Sequence, residues 1–200
     1  MQLSLHDRVA SLIVGVIALA FSSQLAIPMS PTPITLQTLA VTLVGGLMGW
    51  RWGLATVLIW LGLGALGVPV FANGAGGASH LIGPTGGYLI AFPIAAVLVG
   101  RLVERGWDGR RPLLALAVML MATALSLVLG GLWLATSIGV IRAWSGGVEP
   151  FLVGGLIKSV LGAAVLFAVA ALIDFRRDRS AAGRQAQAEG SPSSAPQEAE

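Results

Sequence analysis

The chain has no cysteine, one lysine, one tyrosine and two histidines, and only 10% of its 200 residues are charged. Without thiols there are no disulfides, no thiolate nucleophile and no cysteine-ligated metal. His6 and His80 are the only imidazoles and stand far apart, which argues against a metal site. No carboxylate pair or Ser/His/Asp arrangement points to an enzyme, and no cofactor is implied. A Walker pattern is missing too. GGLI precedes Lys158 and Ser159, with Ile157 where the motif needs glycine, so ATP is not bound by that route. Soluble domains carry about a quarter of charged residues, so this charge density excludes an ordinary water-facing surface.

What fills the chain is hydrocarbon: 56% of residues are hydrophobic and the mean hydropathy is +0.85. Apolar runs of about 20 residues match a bilayer core of roughly 30 Å at 1.5 Å per residue. Such runs recur at about 9–27, 34–49, 53–67, 85–103, 113–133 and 152–174. They predict an all-α membrane protein, a six-transmembrane-helix bundle over residues 1–179. The first run follows Arg8 as in a signal peptide. It is long, however, lacks a small-residue cleavage site and precedes further spans, so it reads as a retained helix. Residues 180–200 lack apolar periodicity and are rich in Ala, Ser, Gln, Glu and Pro, which predicts a disordered cytoplasmic tail.

A net charge of +3 and a pI near 10.6 would suggest nucleic acid in a soluble protein. Here Arg8, Arg51, Arg101, Arg105, Arg110, Arg111, Arg176, Arg177 and Arg179 flank apolar runs, as topological charges do, and no nucleic acid is implied. Alternating the spans places all of them on one side and leaves Arg142 and His80 on the other. The expectation is a multi-pass protein of the plasma (inner) membrane with both termini cytoplasmic. Trp50, Trp52 and Trp107 then fall at the inner interface and Trp144 at the outer one.

Three outer loops follow: PMSPTP, VPVFANGAGGASHLIGPTGGY and RAWSGGVEP. The middle one, between helices 3 and 4, is glycine-rich and nearly uncharged yet carries Val68, Val70, Phe71, Leu81 and Ile82. That mixture predicts a loop folded back on the bundle as a lid. Pro33, Pro84 and Pro150 stand at the expected starts of helices 2, 4 and 6, whose positive dipole ends would face outward.

Lys158 is the only cation inside an apolar stretch, about seven residues into the sixth run. A charge at membrane depth is expensive and marks a site by default. Three readings of it stay open from the sequence. Its stem snorkels to the interface, Glu149 pairs with it, or it meets the carboxylate of a captured solute. Its candidate polar neighbours are Thr35, Gln37, Thr38, Asn73, Thr85 and Tyr88, with glycines such as Gly86 and Gly87 permitting close approach. Hydroxyls and amides in apolar helices serve more often as interhelical glue than as ligand contacts. Asn73 differs, being a loop amide beside glycines that offers donor and acceptor together. Ser11, Gly15, Ala18 and Ser22 form a small-residue strip that suits packing within the bundle or against another membrane subunit.

The segments PTPITLQTLAVTLVGG, LGALGVPVFANGAGG, LIGPTGGYLIAFPIAA and PFLVGGLIKSVLGA, in this order and spacing, resemble the BioY family, the biotin-binding membrane subunit of energy-coupling factor transporters. The resemblance runs from the first apolar run to the last. It implies a six-helix capture subunit that takes biotin from the outer face and works with a transmembrane coupling subunit and two ATPase subunits. Carried over by position, it implies that Lys158 contacts biotin or its carboxylate, and that Asn73 with GPTGGY forms the pocket or lid. One departure stands out: the family usually reads PGD where this chain has Val153, Gly154 and Gly155. The acid missing at Gly155 would accept from the ureido N–H groups, leaving Asn73 or Gln37 to do so, or a different vitamin as the solute. A membrane scaffold whose small-residue strip binds partner helices is the reading from another class.

Overall fold

The computed structural model describes residues 5–189. Helix α1 (Leu5–Gln24) leads into a short antiparallel ribbon, β1 (Ala26–Ile27) and β2 (Ile34–Thr35), with Ala26 opposite Thr35. Then follow α2 (Gln37–Ala65), a short α3 (Ser79–Ile82), α4 (Gly86–Glu104), α5 (Pro112–Ile138), a short α6 (Val140–Ala143) and α7 (Glu149–Glu189). Among the described residues five helices are long and apolar enough to cross a membrane, so this is a multi-pass membrane protein.

Helix α2 is folded back on itself. Gly49 breaks it with φ +78° and ψ 169°, a backbone state that favours glycine, and divides it into arms 37–48 and 50–65. The expected second and third runs are these two arms. A Cβ on Gly53 would lie 2.9 Å from Gly45 Cα, and one on Gly45 would run into the Ala96 carbonyl of α4. Small residues thus let three backbones meet. The first N–H of the second arm would otherwise be orphaned at the break; Glu104 Oε1 at the end of α4 accepts from Trp50 N at 3.2 Å.

The core is mainly apolar, with Leu19, Val41, Val57, Trp60, Phe92, Val118 and Met119 buried together. Large apolar side chains also cover the periphery, including Val14 and Phe21 on α1 and Val153, Ile157 and Leu161 on α7. A surface of that kind is a solvent match for lipid tails rather than water. Cations and aromatics gather at one end of the bundle. Arg8 lies over Trp52, Arg51 and Arg101 lie over Trp50, and Arg110 grips Asp174 through two hydrogen bonds of 3.0 and 2.7 Å.

The glycine-rich stretch after α2 is packed by specific hydrogen bonds. Trp60 Nε1 donates to Val70 O at 3.0 Å, Gln24 Nε2 to Phe71 O at 3.1 Å, and Trp133 Nε1 to Gly83 O at 3.0 Å. Phe71 sits edge-on to Trp60 and is 3% exposed. Buried apolar anchors and satisfied carbonyls explain why a glycine-rich stretch holds one course here.

The structure departs from the sequence expectations in three places. Residues 34 and 35 are strand, because Pro31 and Pro33 hold the chain extended and the helix starts only at Gln37. The expected loop RAWSGGVEP is helical, passing through α6 and a π-helical turn (Trp144–Val148) into α7, so Pro150 does not follow an open helix end. Ser145 Oγ donates back to Ile141 O at 3.1 Å within this turn. Residues 180–189 continue α7 instead of forming a disordered tail. Extending an existing helix adds a bond per residue without a new nucleus, and the Ala-, Arg- and Gln-rich composition favours it. The remainder of the expected tail, 190–200, lies outside the described residues.

Candidate functional site

A cavity of about 300 Å³ opens at the end of the bundle opposite the arginine–tryptophan cluster. That is the lower edge of the ~300–1,000 Å³ typical of small-molecule sites. Four parts of the chain enclose it: the segment from Thr32 into α2, the stretch from Phe71 to His80, the first two turns of α4, and the facing walls of α5 and α7. Phe71, Leu89, Phe92, Leu127 and Phe151 make most of its surface apolar, with hydroxyls, two amides, a histidine and Lys158 set among them.

Lys158 reaches this cavity from α7 and is 8% exposed. Its Nζ donates to the backbone carbonyl of Thr35 at 3.1 Å, the one protein acceptor it has among the described residues. The ammonium has three N–H donors, so two are left for something else. No aspartate or glutamate lines the cavity, and among the described residues no ion pair joins Lys158 to Glu149, which is exposed. The snorkelling and internal-pair readings are both overturned by this burial and this partner. A buried cation without a counter-charge is strongly unfavourable, so an anion entering the cavity gains what water and protein do not supply.

The carbonyl that holds Lys158 is itself braced. Thr35 Oγ1 donates to Gln37 Oε1 at 2.9 Å and accepts from Gln37 N at 3.3 Å, while Gln37 Nε2 donates to Ser23 Oγ of α1 at 2.9 Å. Ser23 Oγ in turn donates to Leu19 O. A polar chain therefore runs from α1 through the start of α2 to the lysine of α7. Every link is buried and occupied.

Tyr88 stacks on Phe151 with centroids 6.2 Å apart, and its Oη donates to Gly147 O of the π-helical turn at 2.6 Å. The turn thus supplies the carbonyl that holds Tyr88 at the cavity wall, an irregularity of the kind that π-turns bring to functional sites. Asn73 sits in the left-handed region at φ +58°, a state that asparagine tolerates, and its exposed side chain lies at the cavity mouth. Thr85 lines the cavity just before α4.

Seven of the residues singled out in the sequence thus meet at one cavity: Lys158, Asn73, Tyr88, Thr85, Gln37, Thr35 and Thr38. Gly86 and Gly87 do not. A Cβ on Gly86 would strike Leu81 O and one on Gly87 would strike Trp133, so both are packing glycines that let α4 lie against its neighbours. Sequence reading missed Thr32, His80, Thr123, Ser126 and Phe151. Among these, Thr123 and Ser126 had one readable signal: two hydroxyls three residues apart on an otherwise apolar helix share a face.

Residues 1–175 match the profile described as BioY family. A protein named probable biotin transporter BioY from Pyrococcus horikoshii is 40% identical over 137 residues, 68% of this chain and 80% of the relative. The protein named biotin transporter BioY2 from Lactococcus lactis subsp. cremoris is 37% identical over 151 residues, 74% of this chain and 81% of the relative. In three dimensions the chain resembles a crystal structure described as the S-component for biotin from an ECF-type ABC transporter. The TM-score is 0.73 at 26% identity, covering 84% of this chain and 95% of that one. A match along nearly the whole membrane region, joined to a fold likeness of that extent, makes the chain a member of the BioY family.

Proposed function

We propose that this protein is the biotin-capturing S component of an ECF transporter, and that the cavity around Lys158 is where biotin is held. The observation that carries the reading is the buried ammonium with a single carbonyl partner and no carboxylate beside it. Biotin joins a carboxylate to an apolar chain and thiolane ring and a polar cyclic urea, which suits a cavity of mostly apolar surface with hydrogen-bonding groups and one unmatched cation. Thr35 and Gln37 set the position of that cation, and Asn73, Thr85 and Tyr88 border the ligand. The arms of α2 make two crossings, giving six in all. With the arginines cytoplasmic, both termini face the cytoplasm, the cavity opens outward, and the glycine-rich stretch 67–87 serves as its lid. The membrane domain is 1–179. Since the chain carries no nucleotide-binding motif, a coupling subunit and two ATPase subunits supply the work. A scaffold function gives neither the cavity nor Lys158 a role.

The test is the mass of the solute that co-purifies with the protein from biotin-containing medium, followed by titration of the stripped protein. Biotin recovered in near-stoichiometric amount supports the proposal. Another vitamin in its place overturns the choice of solute, and a protein that no solute stabilises thermally overturns capture altogether.

A further inference from the structure

The wall of the cavity opposite the ribbon is formed by Thr123 and Ser126 of α5 and Gly155 of α7, and its hydroxyl protons are already committed. Ser159 Oγ donates to Gly155 O at 2.8 Å. A carbonyl only accepts, and a serine hydroxyl has one proton, so that proton is used. Thr123 Oγ1 lies 3.0 Å from the same Ser159 Oγ. The proton between them must therefore come from Thr123. Ser126 Oγ donates to Ala122 O at 2.9 Å. Both side chains line the cavity, both are buried, and both have spent their donors on protein. What they still have to offer is lone pairs.

We infer that Thr123 and Ser126 form an acceptor-only subsite for the N–H donors of the ligand, on the α5 wall of the cavity. This rests on the biotin reading and deepens it. The carboxylate end meets Lys158 and the cyclic urea turns its N–H groups to α5. The placement of Gly155 fits. A Cβ there would come 2.8 Å from Thr123 Cγ2, so the glycine gives up its own side chain and lets Thr123 stand where an acceptor is needed. Ligands that present a carbonyl or ether to this wall are disfavoured, because acceptor would face acceptor.

The subsite is tested by measuring the affinity of the purified protein for biotin and for biotin methylated on its ureido nitrogens. The wild type should prefer biotin by roughly tenfold or more, the expected effect of leaving buried polar groups unmatched. Thr123→Val, which keeps the shape and removes the oxygen, should weaken biotin by about tenfold and narrow that preference, while Thr123→Ser should keep both. Ser126→Ala provides the same measurement should Thr123→Val not fold. Equal affinity of the wild type for the two ligands overturns the subsite alone. So does a hydroxyl-free variant that folds and retains the full preference. A wild type that binds neither ligand overturns the biotin reading as well.

Discussion

Replacing Lys158 by methionine separates the charge from the volume of this side chain. In the structure the ammonium is 8% exposed, donates to one backbone carbonyl and faces a cavity without carboxylates. Its attraction for an anion about 4 Å away is ~4 kcal/mol at an effective dielectric near 20. The carboxylate must shed water to reach it, so the measurable loss on truncation is about 2–5 kcal/mol. At 1.4 kcal/mol per decade this is roughly 30- to 4,000-fold in Kd. The empty protein should respond in the opposite sense. Methionine removes a buried charge that has no counter-charge, which offsets the loss of the one hydrogen bond to the Thr35 carbonyl. Calorimetric titration and thermal unfolding in the same detergent read both quantities, with biotin and its methyl ester as ligands. The wild type should bind the acid far more tightly than the ester, and Lys158→Met should bind the two alike while melting no lower than the wild type without ligand. A variant that holds biotin as tightly as the wild type would refute the counter-ion argument, and so would an ester that binds the wild type as well as the acid does.

Gln37→Leu cuts both links of the buried chain between Ser23 and Thr35 and frees the carbonyl that aims Lys158. Biotin titration should show about a tenfold loss, with a stability decrease of roughly 1–3 kcal/mol from the orphaned hydroxyls. Gly155→Ala should lower thermal stability by about 1–3 kcal/mol, because its Cβ meets Thr123 Cγ2 at 2.8 Å, and adding Thr123→Ser to remove that methyl should restore most of it. Gly45→Ala should cost at least as much and resist any such rescue. Its Cβ meets the backbone of Ala96 rather than a side chain, which denaturation of the variant in detergent would register.

Much of this architecture could be read before any coordinates. A hydrocarbon-thick run carries its own length, so the spans at 85–103 and 113–133 lie within a few residues of α4 and α5. Lys158 announced itself because a lone cation in an apolar run has few bland explanations. Gly86 and Gly87 misled for a physical reason. A missing Cβ looks the same in sequence whether the space goes to a ligand or to a neighbouring helix, and here it goes to Leu81 and Trp133. Thr123 and Ser126 stayed hidden because hydroxyls in apolar helices commonly bond their own backbone, as Ser126 does, and only the partner of each proton shows what is left over. The helical passage 140–148 also escaped, since its two glycines and the Pro150 just beyond it are loop signals that tertiary packing overrode.

The arms of α2 reach only about 18 and 24 Å at 1.5 Å per residue, short of a hydrocarbon slab of ~30 Å. A helix shorter than such a slab is met by lipids that compress or by headgroups that dip towards its ends. The cavity around Lys158 lies at the first turn of the shorter arm, where Thr35 and Gln37 line it. The lysine is thus anchored to the chain just ahead of a helix that is itself too short to bury it behind a full slab of hydrocarbon.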